Sequence, residues 1–242
     1  MKKIPISIIT ACFNSENTIQ ATFNSLLNQT SKNFEHIIID GGSTDKTKDL
    51  INLYIKQADY TVIYKSEPDD GLYDAMNKGI KLSNGTFIGI LSSDDWYEKN
   101  AIESILSTNL NSADIIYGFL RLIKDKQELM VRRSNLKFID SLEGMIQHPS
   151  CFVRKENYLK AGLYDTSYKV CADQDLFLNM IRDGAKLVQV DNIIANFTMT
   201  GTSYTVDSSA EIVRYKLKYN LISKKRAIIV LLKCKLLGLF KR

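Results

Sequence analysis

Apolar and polar positions in the first hundred residues follow two alternating patterns. Four short, unbroken apolar runs predict buried strands at residues 4–10, 34–40, 60–66 and 86–93. The polar stretches between them carry apolar residues at helical spacing and predict a helix after each of the first three strands. This rhythm predicts right-handed βαβ units in a mostly parallel sheet flanked by helices, as in Rossmann-like α/β proteins.

The second half of the chain has a less regular pattern. It predicts strands at 114–123 and 128–133 that could form a hairpin, and a helix over 173–184. Shorter apolar runs predict strands at 148–155, 186–190 and 193–199. The pattern from 208 to 242 predicts one long helical segment.

Composition favours one folded domain with an appendage, since 45% of the 242 residues are hydrophobic and 24% are charged. The four cysteines form no Cys-x-x-Cys pair, which favours reduced thiols in a cytosolic protein over disulfides or zinc. Pro5, Ser7 and Asn14 interrupt the N-terminal apolar run, so we expect a strand there and no signal peptide. No run reaches the ~18 apolar residues of a membrane span.

The charge of the chain is concentrated at its C-terminal end. Residues 211–242 carry ten basic side chains and one acid, Glu211, while the rest of the chain has a net charge of −4. Two short apolar runs alternate with these basic residues, which predicts a helix lying on an anionic membrane surface. The alternative is a terminal helix packed on the domain. A nucleic-acid partner is not expected, because the interleaved residues are mostly Leu and Ile rather than exposed aromatics.

Small polar and acidic residues follow all four strands of the first half. Ligands of open α/β sheets bind at this edge, where parallel strands end. Any one of these clusters could be a set of helix caps, but four along one edge favour a polar ligand. The clusters read TACFN, DGGSTD, EPDDG and SDD.

The glycine-rich turns that cradle phosphates in dinucleotide and P-loop proteins are absent. A divalent cation could instead neutralise a diphosphate, because Mg²⁺ commonly takes one or two carboxylates plus substrate phosphates. Asp94 and Asp95 suit that task. A cation would also offset the repulsion between these neighbouring carboxylates.

Five motifs, taken in order, resemble those of family 2 glycosyltransferases of the GT-A fold, and most closely bacterial enzymes that build surface polysaccharide. The resemblance covers roughly residues 5 to 200; its motifs are SIITACFNSENTI, SLLNQT, EHIIIDGGSTDKT, SEPDDGLYDAMNKGI and GILSSDDWY. It implies inverting transfer of a sugar from a nucleotide-diphosphate donor, with a UDP-sugar preferred, to a glycan or lipid-linked acceptor. Mn²⁺ or Mg²⁺ is the implied cofactor. The basic composition of residues 211–242 predicts a cytoplasmic enzyme bound peripherally to the inner face of the cell membrane.

The resemblance also assigns regions and residues. It implies a nucleotide-sugar half at 1–100 and an acceptor half at 101–210, which together form the enzyme domain, followed by the basic segment 211–242. Asp95 would bind the metal. Ser93 stands where many relatives have another acid. The implied nucleotide-sugar contacts are Thr10, Phe13, Asp40, Asp70, Gly71, Asn77 and Asp94.

For the catalytic base, alignment on the letters DLFL implies Asp173, while Ala172 replaces the Glu of relatives. Asp175 is the alternative candidate, because an acid in the first turn of a helix can stabilise the helix dipole without acting as the base. His148 and Trp96 are implied acceptor contacts, and residues 199–203 an implied loop over the diphosphate.

Two other classes compete with a glycosyltransferase. A non-catalytic sugar-nucleotide or glycan-binding module would have lost the base or the metal acid, and both are present. A nucleotidyltransferase would need a glycine-rich loop with an Arg after the first strand, which is absent.

Overall fold

One mixed sheet runs through the described residues, which are 4–134, 146–199 and 209–239 of a computed structural model. The main path through the sheet has the order β3-β2-β1-β4-β8-β6-β9-β5, and β7 pairs with β6. Its nine strands are β1 (Ile6–Cys12), β2 (Phe34–Asp40), β3 (Val62–Ser66), β4 (Phe87–Ile90), β5 (Trp96–Tyr97), β6 (Ile115–Lys124), β7 (Gln127–Arg132), β8 (Cys151–Arg154) and β9 (Leu187–Thr198).

Helices flank this sheet, and their apolar faces supply much of the core. In the first helix, for example, Ile19, Phe23 and Leu26 are fully buried while the polar face is exposed. The eight described α-helices are α1 (Ile19–Leu27), α2 (Thr47–Gln57), α3 (Leu72–Leu82), α4 (Ala101–Leu106), α5 (Lys155–Lys160), α6 (Ala172–Arg182), α7 (Ser209–Lys218) and α8 (Lys224–Leu239).

The first four strands are parallel, which confirms the predicted βαβ units. β1 lies between β2 and β4, and every residue of β1 and β2 is buried. Both faces of these strands are covered, so their sequences are continuous apolar runs rather than alternating ones. Cys12, Asp40 and Ser66 lie opposite one another at the carboxyl ends of β1, β2 and β3. The predicted strand ends therefore meet at one edge.

The second half of the chain extends this sheet mainly by antiparallel pairing. β8 pairs antiparallel with β4 and with β6, and β6 with β7 forms the predicted hairpin. Its turn residues Asp125 and Lys126 have φ of 51° and 63°, as expected for a two-residue hairpin turn that follows the strand twist. The fold is thus α/β, with a parallel half joined to a mixed half in which β6 and β9 run parallel.

Two predicted boundaries in this half were wrong. The runs at 186–190 and 193–199 form one strand, β9, because a register shift beside Gly118 absorbs the polar residues between them. A Cβ at Gly118 would lie 2.7 Å from the Asn192 carbonyl oxygen, so only glycine fits there. The strand predicted from residue 148 begins at Cys151, after a 3₁₀ turn over His148–Ser150.

The basic segment is two helices rather than the one predicted. Asn220, with φ of 55°, lies between α7 and α8 in a left-handed conformation that ends the first helix. Val213 and Tyr215 of α7 are buried against the domain, so α7 matches the packed alternative, whereas α8 exposes Ile228 and Ile229. The expected division at residue 210 stays a prediction. Across the described ranges, no helix has both the length and the apolar character needed to cross a membrane.

A side-chain amide joins the two halves behind the sheet edge. Asn77 of α3 donates from Nδ2 to the Tyr164 carbonyl oxygen at 2.9 Å and accepts from the Tyr164 N–H at 3.0 Å. Both partners are buried, so water cannot replace these bonds. The pairing fixes α3 against the segment that leads into α6.

We expect Asn77→Ala to lower the free energy of unfolding by about 2 kcal/mol, because it leaves a buried N–H and a buried carbonyl unpaired. Urea denaturation measures this change. The control is Asn24→Ala, whose exposed amide bonds only Gln20 and should change stability by less than about 0.5 kcal/mol. Equal losses in the two variants would contradict this role for Asn77.

Candidate active site

A cavity of about 820 Å³ lies at the carboxyl ends of the parallel strands. The first half of the chain contributes residues 11–15 after β1, the start of α3, and the segment 92–94 after β4. The second half contributes residues 146–149 and 169–174. The predicted edge is therefore a real concavity, walled by both halves of the chain.

The acids after β4 lie at its wall. Asp94 lines the cavity, while Asp95 is fully buried behind it. Asp95 Oδ1 accepts a hydrogen bond from the Thr198 N–H at 2.8 Å, and Asp95 Oδ2 is buried with no hydrogen-bond partner among the described residues. Burial, and then the charge of Asp94, raise the pKa of Asp95 well above its usual value; burial also raises the pKa of Asp94.

This unpaired buried oxygen fits a hard cation, which would supply the missing partner and offset the two negative charges. Ser93, where relatives often have an acid, shares a hydrogen bond with Ser15 at 2.9 Å instead. The described ranges contain no group of three His, Cys, Asp or Glu side chains placed to hold a metal. A cation bound here would therefore take further ligands from a substrate.

Asp173 reaches the same cavity from the first turn of α6. Burial raises the pKa of its carboxyl, and nearby His148 opposes that rise only in part. Tyr73 Oη lies 3.4 Å from Asp173 Oδ1, at the outer limit of a hydrogen bond. In the described part of the chain, the titratable groups whose charges interact with Asp173 include His148, Tyr73, Tyr158, Tyr164, Tyr215, Cys151 and Cys171.

Asp175, the alternative candidate for the base, is paired with another side chain. Asp175 is buried away from the cavity and forms an ion pair with Lys218 of α7 at 2.7 Å. His148 lines the cavity, and its Nε2 is hydrogen-bonded to Tyr164 Oη at 2.7 Å. Burial lowers the pKa of His148, which favours the neutral imidazole. The structure thus brings Asp173 and His148 together and leaves Asp175 out.

Two predicted nucleotide contacts, Thr10 and Asn77, are hydrogen-bonded within the protein, and the predicted acceptor contact Trp96 lies off the cavity. Thr10 Oγ1 bonds His36 Nε2 at 3.0 Å, because side chains alternate along β1 and Thr10 faces the core. The side-chain amide of Asn77 is hydrogen-bonded to the Tyr164 backbone, and Trp96 lies in β5 opposite Asn196. These three do not line the cavity, whereas Phe13, at 60% exposure, does.

The loop before α3 brings Asp69, rather than the predicted Asp70, to the cavity wall. Asp70 is exposed and off the cavity, and its neighbour Asp69 lines it. Asp69 Oδ1 accepts from the Gly71 N–H at 2.9 Å in a tight turn, and Gly71 has the positive φ of 110° that such a turn favours. The turn-forming spacing of Asp69 and Gly71 was the signal that could have identified Asp69. Gly71 lines the cavity as predicted.

Other lining residues were not singled out from the sequence, although the motif SEPDDGLYDAMNKGI contains Tyr73. Tyr73, Gln174, Arg132 and Lys169 all reach the cavity wall. Arg132 and Lys169 are exposed cations, so the wall also offers positive charge to an anionic ligand. The loop expected over a diphosphate, residues 199–203, lies outside the described residues except for Met199.

Comparison with known proteins identifies the family. Residues 7–171 match the family model described as Glycosyl transferase family 2. The chain belongs to this family. The glycosyltransferase predicted from the five motifs is thereby confirmed.

Curated relatives carry names of the same kind. A PGL/p-HBAD biosynthesis glycosyltransferase of Mycobacterium bovis is 28% identical over 198 residues, which are 78% of this chain and 74% of the relative. An uncharacterized glycosyltransferase of Rickettsia conorii is 31% identical over 192 residues, 73% of this chain but only 31% of that relative's length.

Solved structures share the fold. TarS 1–349 of S. aureus, in complex with UDP-GlcNAc, aligns with a TM-score of 0.73 at 18% identity and covers 94% of this chain and 70% of that one. A mannosyltransferase of Pyrobaculum calidifontis, in complex with GDP-Man and Mn²⁺, aligns with a TM-score of 0.68 at 14% identity, covering 90% and 65%. At these identities the likeness establishes the GT-A fold of this glycosyltransferase.

Asp40 contrasts with Asp95 at the same edge of the glycosyltransferase. Asp40 is buried and off the cavity, and its two oxygens accept hydrogen bonds from Ser43, Ser66 and Tyr64. Burial alone would raise the pKa of Asp40, but these hydrogen bonds outweigh it and hold the pKa below its usual value. The contacts with Ser66 and Tyr64 join β2 to β3, and the expected contact of Asp40 with the base stays a prediction.

We expect the two acids to respond oppositely to neutralisation in metal-free protein. Asp95→Asn should raise the melting temperature, because it removes a buried charge with an unpaired oxygen. Asp40→Asn should lower it, because its donors lose charge-assisted partners. Thermal unfolding at pH 8.5 in EDTA checks both predictions. The melting temperature should shift by about 2–4 °C for each kcal/mol of change in the free energy of unfolding.

The pH dependence of the Asp40 effect has a definite sign. Since folding lowers the pKa of Asp40, its contribution is present above the ordinary Asp pKa of about 3.9 and is lost as the pH falls below that value. The loss of melting temperature in Asp40→Asn, relative to wild type, should therefore become smaller in acid. Destabilisation of similar size in Asp95→Asn and Asp40→Asn at pH 8.5 would contradict this assignment.

Proposed function

We propose that this glycosyltransferase catalyses inverting transfer of a sugar from a nucleotide-diphosphate sugar, a UDP-sugar by preference, to a hydroxyl of a lipid-linked glycan in bacterial surface polysaccharide synthesis. One observation carries the proposal: a single cavity is lined by Asp94, with the buried Asp95 directly behind it, and by the half-buried Asp173 of α6. An inverting transfer needs these two functions, charge neutralisation and a base.

The donor side of the cavity suits a nucleotide diphosphate. TarS was solved with UDP-GlcNAc, and GalNAc-T7 with UDP, GalNAc and Mn²⁺, which supports a nucleotide-sugar donor and a divalent cation here. Phe13 offers an exposed aromatic face for the base. Gly71 and Leu72, at the start of α3, line the cavity, so the positive end of the helix dipole would favour a diphosphate there.

Asp95, with help from Asp94, would hold Mn²⁺ or Mg²⁺, which would supply positive charge to the leaving diphosphate. The protein's own contribution on that side is to bury Asp95 and hold its Oδ1 on the Thr198 N–H, so that Oδ2 stays available. The exposed cations Arg132 and Lys169 add positive charge at the wall. A transferred hexosyl or N-acetylhexosaminyl group would lie between these groups and Asp173.

The transfer itself is one displacement. The acceptor oxygen forms a bond to the anomeric carbon as the bond from that carbon to the diphosphate oxygen breaks, which inverts the configuration. Asp173 takes the proton of the acceptor hydroxyl. Its raised pKa makes the carboxylate a stronger base than an exposed Asp, and Tyr73 and His148 border it within the acceptor wall.

We expect Asp173→Asn to lower kcat by about 10²–10⁴-fold with little change in the KM for the donor, since a positioned base acts on the acceptor in the transition state. In the wild type, kcat should fall on the acid side at a pH above the ordinary Asp pKa of about 3.9, because burial raises the pKa of Asp173. Transfer assays across pH measure both effects.

Asp175→Asn is the matched control on the same helix. It should lose stability, because Lys218 loses its partner, yet keep the acid limb of the kcat profile. Transfer at the normal rate by Asp173→Asn, with loss of transfer in Asp175→Asn, would reverse the assignment.

We also propose that α8 holds the enzyme on the anionic inner face of the membrane. Ile228, Ile229 and Leu232 are 53–59% exposed on α8, an unusual cluster of apolar side chains. Lys224, Lys225, Arg226 and Lys233 are exposed beside them. Such a helix can insert its apolar residues at the interface, with each nearby basic residue adding about 1 kcal/mol.

We expect the triple variant Ile228→Ser, Ile229→Ser, Leu232→Ser to lose binding to vesicles that contain anionic lipid, as measured by sedimentation. Wild-type binding should weaken as salt rises. Leu159→Ser removes a 51% exposed apolar residue on α5 and should bind as wild type does. Undiminished binding by the triple variant, or no binding by wild type, would rule out this anchor.

A further inference from the structure

The acid that stands alone in the basic segment points into the domain. Glu211 lies at the start of α7, and its carboxylate accepts hydrogen bonds from three consecutive backbone N–H groups. Oε1 takes the Lys169 N–H at 2.6 Å, and Oε2 takes those of Val170 and Cys171 at 2.9 and 3.0 Å. One side chain thus satisfies a whole turn of backbone donors that precede a helix.

These three residues form part of the cavity wall and lead directly to Asp173. The Val170 carbonyl oxygen accepts from Tyr73 Oη at 2.6 Å, and the same hydroxyl reaches Asp173 Oδ1. The segment 169–171 is therefore held from two directions, by Glu211 of α7 and by Tyr73 of α3. Its position determines where α6 starts and so where the Asp173 carboxylate lies.

Helix α7 is itself fixed to α6 farther along. Lys218 Nζ contacts both oxygens of Asp175, at 2.7 and 3.0 Å, and Tyr219 Oη donates to the Asp175 carbonyl oxygen at 3.1 Å. Tyr215, between these ends, is buried in the main core. Because α7 contacts both sides of Asp173 along the chain, Glu211 is held in place rather than free to swing away.

We propose that Glu211 is a positioning residue that sets the catalytic carboxylate of Asp173 by holding segment 169–171. The proposal rests on the proposed role of Asp173 as base. Hydrogen bonds from N–H groups to an ionised carboxylate are stronger than neutral ones, so three of them restrain the segment effectively. A small displacement of a reacting group can cost about 10²-fold in rate.

The amide variant is a stringent test of this arrangement. Glu211→Gln keeps the size of the side chain but offers one acceptor oxygen, and its NH₂ group faces a backbone N–H. We expect kcat to fall by about 10–100-fold while the donor KM stays within about twofold. The acid limb of the kcat profile should move to lower pH, because a loosened wall admits water to Asp173.

The control on the same helix is Arg214→Gln. Arg214 pairs with Asp165, and both side chains are largely exposed, so this variant should match wild type in kcat and pH profile. Glu211→Asp keeps the charge on a shorter side chain and should recover part of the rate. Near-UV circular dichroism and melting temperature show whether each variant is folded. If Glu211→Gln does not fold, the kcat of Glu211→Asp becomes the test of the proposal.

A double-mutant cycle isolates the coupling between the two acids. In the Asp173→Asn background, Glu211→Gln should cause no further loss of kcat, because its effect acts through Asp173. Three results would each overturn the positioning role. The first is an equal further loss of kcat when Glu211→Gln is added to Asp173→Asn. The others are a lower kcat in Glu211→Gln with an unchanged acid limb, and a wild-type kcat in Glu211→Gln. A wild-type rate in Asp173→Asn alone would instead overturn the proposed base.

Discussion

The buried carboxylate of Asp95 is the constraint on which the rest of the site depends. It lies at the end of β4, with one oxygen on the Thr198 N–H and the other without a partner in the described residues. Leaving a charged oxygen in that state is unfavourable, and Asp94 next to it adds repulsion. Such an arrangement is maintained by the surrounding fold, and a bound cation would relieve it.

The sheet explains how this state is held. The parallel half buries β1 and β2 on both faces and brings its carboxyl ends to one edge. The other half supplies Thr198 from β9 beneath Asp95 and Asp173 from α6 at the cavity wall. Tyr73 of α3 bonds the segment before α6, so the halves are connected at the site itself. The proposed donor and acceptor functions would thus share one rigid support.

The apolar runs predicted the parallel strands well, because full burial on both faces leaves an unmistakable pattern. The motifs also located Phe13, Gly71, Asp94, His148 and Asp173 at the cavity.

Side-chain direction was harder to predict. Alternation along β1 turns Thr10 into the core, and a tight turn presents Asp69 in place of Asp70. The role of Glu211 depends on tertiary contacts 40 to 42 residues away, which no local pattern records. The bulge at Gly118, which merges two predicted strands into β9, likewise depends on a tertiary contact that no local pattern records.

Binding of Mn²⁺ tests the central claim most directly. Electron paramagnetic resonance of free Mn²⁺ can be followed as wild type, Asp95→Asn and Arg214→Gln are added in the presence of UDP, with UDP alone as the blank. If the unpaired oxygen of Asp95 is the cation ligand, wild type and Arg214→Gln deplete the free signal and Asp95→Asn does not. Equal depletion by Asp95→Asn would contradict the account.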